Sequence, residues 1–212
     1  MMKNLKRVLS FALVIVMLFS LVGCTATKKT EFDVSGYIRS VLRCSYAGDT
    51  ASYMELTGAG KETADDYHAT TVHNAAVRFF SAYSMNASDA QMDAMEAVLE
   101  EAYRNSKFTV NEKVEKATGY DVRVDYTVQT TLNNISSDIK AKREAADALG
   151  QATDIGAQYI DEVITLCKNT VENQTAYGDT ATLTFDIIVD SEGYISLDTN
   201  LFNSIDVAIL PY

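Results

Sequence analysis

Few residue groups in this chain have the types and spacing that chemistry needs. The first is the run Asp65-Asp66-Tyr67-His68, followed by His73. Two imidazoles on a helix share a metal when they lie three or four residues apart. Five apart places the rings about 140° round the axis. Asp66 and His73, seven apart, face one way, but two ligands make a poor metal site. His68 lies on an apolar stripe with Val72 and Phe79, as a histidine at a core edge does. Asp66, His68 and His73 are therefore candidates for a polar pocket rather than for a metal centre. Gly58-Ala59-Gly60-Lys61 has the look of a phosphate loop, yet Glu55 and Glu62 occupy the positions that need Gly and Ser/Thr. Asp190-Ser191-Glu192-Gly193 lacks the spaced acids of a calcium loop and fits a hairpin turn. No H-E-x-x-H, G-x-S-x-G or C-x-x-C occurs, so no catalytic, metal or cofactor residues are expected.

The strongest signal is a thiol. Lys3, Lys6 and Arg7 precede about fifteen mostly apolar residues from Val8 to Val22, too short for a comfortable bilayer span and right for the apolar core of a secretory signal. That run ends in Leu21-Val22-Gly23-Cys24. The tetrapeptide resembles the lipobox of bacterial lipoproteins, in which the cysteine sulfur receives a diacylglyceryl group and cleavage falls just before it. The resemblance implies a signal peptide over residues 1–23, lipidation of Cys24 and a lipidated terminus and tether over 24–31; with Pro211 the one proline and no linker-like tract, the expectation for 32–212 is a single domain. Two or more acyl chains on one residue hold a protein durably at a bilayer, so the expected address is the extracytoplasmic face of the cell membrane, anchored by lipid.

Cleavage would leave 15 Lys+Arg against 29 Asp+Glu, a formal charge of 15 − 29 = −14. Such an acidic body repels nucleic acid. About 189 residues is one ordinary domain, too short for the two lobes usual in solute-binding proteins. Cys44 and Cys167 each fall on an apolar helical stripe, where a cysteine serves as a small hydrophobe; a disulfide between them is the other reading. Of the twelve tyrosines, Tyr37, Tyr126 and Tyr159 fall on apolar stripes, and others are available to line a groove.

The elements that must position these residues change period part-way along the chain. Helical spacing predicts helices from Val34 to near Gly48, from Asp49 to Leu56, from an N-cap in Thr63-Ala-Asp-Asp66 for about twenty residues, and after a Ser88/Gln91 capping box. Alternation then takes over from Phe108 to Val128, with a turn at Thr118-Gly119. A long helix over about 134–172, with a kink or break permitted near Gly150, a second hairpin over 183–199 and an apolar tail from Leu201 to Leu210 complete the chain. The prediction is an α+β fold: amino-terminal helices, then two antiparallel hairpins separated by a long helix, with helices on one face of a roughly four-stranded sheet.

Several stretches, among them Val34-Ser-Gly-Tyr-Ile-Arg-Ser-Val-Leu, Tyr46-Ala-Gly-Asp49, Tyr53-Met-Glu-Leu-Thr57 and Ala102-Tyr103-Arg-Asn-Ser-Lys-Phe108, resemble a group of small lipoproteins of Gram-positive, chiefly clostridial, bacteria. That resemblance implies a surface location and no known catalytic residues. The element order is also similar to the NTF2/cystatin-like cone. The resulting expectation is a membrane-anchored module that binds a ligand or an envelope protein. An envelope enzyme with a site assembled from distant residues, or a structural accessory of a membrane complex, is the alternative.

Overall fold

The computed structural model describes residues 32–148, 153–190 and 195–212. Cys24 and the tether lie outside them. Helix α1 (Val34–Ala47) opens on Asp33, whose carboxylate accepts from Gly36 N at 2.7 Å, and closes at Gly48, where φ is 65°. A residue without Cβ adopts that left-handed conformation at little cost. Helix α2 (Thr50–Thr57) starts from Asp49 in the same way. Helix α3 (Lys61–Ala82) begins earlier than predicted: its N-cap is Gly60, which makes no side-chain cap bond, and Thr63–Asp66 lie inside the helix. The exposed ion pair Lys61–Asp65 spans that first turn. Helix α4 (Asp89–Arg104) opens on the expected capping box, with both Ser88 and Gln91 reciprocating.

Among the described residues the strands are β1 (Lys107–Val110), β2 (Val114–Lys116), β3 (Gly119–Gln129), β4 (Tyr177–Val189) and β5 (Ile195–Leu197), in one antiparallel sheet ordered β1-β3-β4-β5. The predicted first strand is interrupted at 111–113, and its halves β1 and β2 lie in succession along one edge of β3. The two hairpins are one sheet because β3 pairs with β4 from Gly119↔Ile188 to Gln129↔Tyr177. Gly119 makes this approach possible. Its φ is 147°, and a Cβ there would lie 2.0 Å from the Ile187 carbonyl oxygen. The hairpin turn expected at 190–193 falls largely outside the described residues, although Val189↔Ile195 pairing brackets it.

Alternation sorts the sheet's two faces. Val122, Val124, Phe185 and Ile187 are fully buried under the helices, each worth roughly 2 kcal/mol of apolar transfer. Arg123, Thr180, Thr182, Thr184 and Asp186 face solvent. The predicted long helix is a helical hairpin of α5 (Ser136–Ala148) and α6 (Thr153–Asn173), preceded by a short 3₁₀ turn. Lys142 and Glu162 meet across it at 2.9 Å. A straight helix over 134–172 would extend about 60 Å, beyond the reach of any core in a domain this size. Folding back lets Ile139 on one arm and Ile160, Val163 and Cys167 on the other bury together. The predicted apolar tail is also a helix, α7 (Asn200–Ile209), which seats Phe202, Ile205 and Ile209 in the core. Phe202 packs on Phe185 with ring centroids 4.8 Å apart.

Candidate functional site

The sequence candidates do not converge on a pocket. His68 and His73 both reach from α3 toward α4. His68 Nδ1 lies 2.9 Å from the Ser45 carbonyl oxygen, so that nitrogen donates, and its Nε2 lies 3.7 Å from Glu100 Oε1. His73 Nδ1 is 2.6 Å from Glu96 Oε1. Asp66 is exposed and joins neither. These contacts stitch α1, α3 and α4 along one seam. Among the described residues no three His, Cys, Asp or Glu side chains group closely enough to hold a metal.

Cys44 and Cys167 are free and buried, so the bridge left open by the sequence is not formed. Burial pushes the Cys44 thiol up to about 11, with Asp49 and Asp65 adding to the effect, and the Cys167 thiol up to about 12. Both are small hydrophobes at neutral pH. The tyrosines likewise turn inward. Tyr46 stacks on Tyr103 at 5.1 Å and Tyr53 on Tyr67 at 5.5 Å.

A buried polar cluster that the sequence did not reveal ties the carboxy-terminal helix to the amino-terminal ones. Arg78 Nη2 on α3 donates to Asp206 Oδ2 on α7 at 2.7 Å and to the Tyr103 hydroxyl at 3.2 Å. Tyr103 in turn donates to Asp206 Oδ1 at 2.6 Å. Tyr212 caps the arrangement, donating to the Ala75 carbonyl oxygen at 2.7 Å. Burial pushes the Asp206 carboxyl above its ordinary value, and Arg78 and Tyr103 oppose that shift without cancelling it. Burial also works to lower the Arg78 guanidinium, but Asp206, Tyr212 and Tyr103 outweigh it and hold the group up. Both carboxylate oxygens accept bonds, which is the geometry of an ionised pair that carries a desolvation cost. Asp206 is 9 % exposed and Tyr103 1 %. α7 covers most of the cluster, with the Arg78 side chain keeping 31 % of its surface exposed, so the arrangement is a clasp between helices rather than a pocket. The spacing Phe202, Ile205, Ile209 is the helical signal that would have found α7; an isolated Asp206 and Arg78 give no sign that they meet.

What remains open to a partner is the outer face of the sheet. Across β1, β3 and β4 it carries Lys107, Thr127 and Thr180 in one row, then Thr109, Asp125 and Thr182, then Arg123 and Thr184. Thr127 and Thr180 hydroxyls are 3.2 Å apart, and Thr182 donates to Asp125 Oδ1 at 2.5 Å. The bond from Thr182, with one from Asn111, holds the Asp125 carboxyl below its usual range. Lys107 Nζ sits 3.5 Å over the Tyr177 ring. At one end Lys116 bonds Asp121 at 2.9 Å and also reaches Asp186. A shallow groove of about 440 Å³ runs over Lys107, Thr109, Asp125 and Thr180. A second open groove, of about 460 Å³, lies at the α5–α6 hairpin beside Lys142 and Glu162. Both suit a surface partner better than an engulfed small molecule.

No family model matches the chain, and no curated protein matches it. A solved structure from Bacillus subtilis subsp. subtilis str. 168, ycdA, assigned as a lipoprotein, has the same fold. The two superpose with a TM-score of 0.56 at 12 % identity over 85 % of this chain. This chain spans 56 % of that protein's length. At such identity the likeness speaks to the fold. No helix among the described residues is long and apolar enough to cross a membrane.

Proposed function

We propose that this protein is a lipid-anchored extracytoplasmic module, located as the small Gram-positive lipoproteins its sequence resembles are, and that it binds a protein partner on the outer face of its sheet. Leu21-Val22-Gly23-Cys24 supports the anchor. A lipoprotein assignment for a protein of the same fold agrees with it. The observation that carries the binding role is the open polar face: threonines, Arg123 and paired acids lie flat toward solvent, while Tyr46, Tyr103, the thiols and Asp206 are enclosed. Such a face offers hydrogen bonds over a wide area and no cavity that excludes water from a reacting centre.

The anchor is tested by mass spectrometry of the amino-terminal peptide from native membranes, where a diacylglyceryl group on Cys24 is expected, and by Cys24→Ser, which releases the protein into the medium. The face is tested by Arg123→Glu combined with Thr109→Lys on the anchored protein. That variant should lose a protein that the unmodified chain co-purifies from detergent-dissolved envelopes. An unlipidated Cys24, or identical co-purification by both chains, overturns the corresponding half of the proposal.

A further inference from the structure

We propose that the open edge of β4, Thr180–Thr184, takes up a short extended segment of a partner protein as one more strand of the sheet, a segment that alternates hydroxyl-bearing with apolar residues and carries a cation at each end. The proposal goes beyond the outer-face reading: it concerns backbone groups at the edge, and it stands if the face binds nothing.

Backbone direction decides which β4 groups are free. Asn111 N donates to Arg123 O at 2.9 Å, so odd-numbered residues of β3 turn their backbone groups toward β1 and β2, and even-numbered ones toward β4. The partners of Val122 and Val124 are Phe185 and Leu183. Val189 N likewise donates toward the β3 side, to Thr118 O at 2.9 Å. Odd residues of β4 therefore serve β3, and Thr180, Thr182 and Thr184 aim their N–H and C=O groups the other way. Among the described residues no strand lies on that side before Ile187, where β5 pairs.

Two features fix the length of what fits. At one end the β3–β4 register shifts between Thr127↔Thr180 and Gln129↔Tyr177, so the regular edge starts at Thr180. At the other, Leu197 pairs with Ile187, and Asp198-Thr199 lead from there into α7 beside Asp186. The stretch Thr180 to Thr184 is left, the length of an ordinary strand, and a segment confined to it does not meet β5. Natural edges are usually blunted by lysine, proline or a charge. Thr-Ala-Thr-Leu-Thr has none of these, and its threonines favour a strand.

The edge also sets the occupant's side chains, because directly paired residues share a face of the sheet. Ala181 and Leu183 lie on the helix side and keep part of their surface open beside the core, so the residues opposite them are apolar. Those opposite Thr180, Thr182 and Thr184 lie among hydroxyls. β4 and β5 contain no lysine or arginine, while Asp179 precedes the free stretch and Asp186 and Asp198 follow it, in a chain of net charge −11. Lys116 reaches Asp186 but leaves that side chain 66 % exposed. A cation at each end of the segment complements these acids. Strand addition of this kind takes affinity from main-chain bonds and specificity from alternate side chains.

The end-capped peptide Lys-Thr-Val-Thr-Val-Thr-Lys is the probe, and it should bind the full chain with a Kd of about 100 µM. Hydrogen exchange read amide by amide should show Thr182 and Thr184 exchanging at least about tenfold faster than Leu183 and Phe185 in the free chain, and slowing about tenfold in about 1 mM peptide. Methylating the amide nitrogen of the peptide's central threonine, which points at β4, should weaken binding at least about tenfold; methylating both valine amides, which point away, should leave it within about twofold. Thr182→Pro removes a free N–H and no bond to β3, so that variant should keep its circular dichroism and lose the peptide. Arg123→Glu/Thr109→Lys should still bind it, so this proposal and the outer-face reading fail separately. Absence of binding at about 1 mM, or binding indifferent to where the methyl group sits, overturns the proposal. So does slow exchange of Thr182 and Thr184 in the free chain, the sign of an edge already covered by a second copy or another segment.

Discussion

Removing the Asp206 carboxylate tests whether the buried clasp carries the closure of α7. Asp206→Ala leaves Arg78 without its counter-ion and the Tyr103 hydroxyl without its acceptor. Breaking a buried pair by deleting one partner costs about 3–5 kcal/mol. The Arg78 side chain keeps 31 % of its surface exposed, so water recovers part of that, and the lower end, about 3 kcal/mol, is expected. For a domain of this size that is about 6–12 °C in Tm. Tyr103→Phe, which removes one hydroxyl, should cost about 1–2 kcal/mol. The double variant should cost less than the sum by about 1 kcal/mol, because the orphaned hydroxyl is then gone. Replacing the pair with apolar groups, Arg78→Met/Asp206→Leu, should fall within about 1 kcal/mol of the unmodified chain, since it also removes the desolvation cost. The pH dependence has a definite sign. Asp206 holds its proton more tightly folded than unfolded, so its contribution is fullest below about pH 3.8 and declines as pH rises through the native value. The apolar pair should abolish that slope. Urea denaturation followed by circular dichroism across pH measures all of this. An Asp206→Ala cost below about 1 kcal/mol, or additive single costs, would refute the clasp.

Gly119→Ala should destabilise the protein by roughly 2 kcal/mol or more in the same assay, because the methyl meets the Ile187 carbonyl oxygen at a φ of 147°; an unchanged midpoint contradicts the close β3–β4 approach. Cys44 and Cys167 should stay unmodified by a thiol reagent at pH 8 in the folded state and react on denaturation, given their raised thiol values and burial. Asp125 binds its proton less tightly folded than unfolded, so its contribution is present above about pH 3.8 and lost as pH falls through the native value. Carboxyl-carbon NMR should show its titration moving upward in Thr182→Val, which deletes the first of its two donors.

The sequence by itself determined what is local. Ser88 and Gln91 specify a helix start without help, since cap and donor lie three residues apart. Alternation from Tyr120 to Val128 fixed which side of β3 is dry, and the order of charge, apolar run and Gly23-Cys24 gives the expected address. Tertiary structure decided what distance in sequence conceals. Whether 134–172 runs straight depends on how much core lies in reach, and where the helical spacing of α7 docks depends on the seat that Phe185 offers Phe202. Asp206 and Arg78 lie 128 positions apart, so no spacing rule joins them, and β5 ends at Leu197 opposite Ile187, which no pattern within β4 foretells. Periodicity reports on neighbours one turn or one pleat away. Burial, pairing and open edges depend on which distant segment fills the adjoining space.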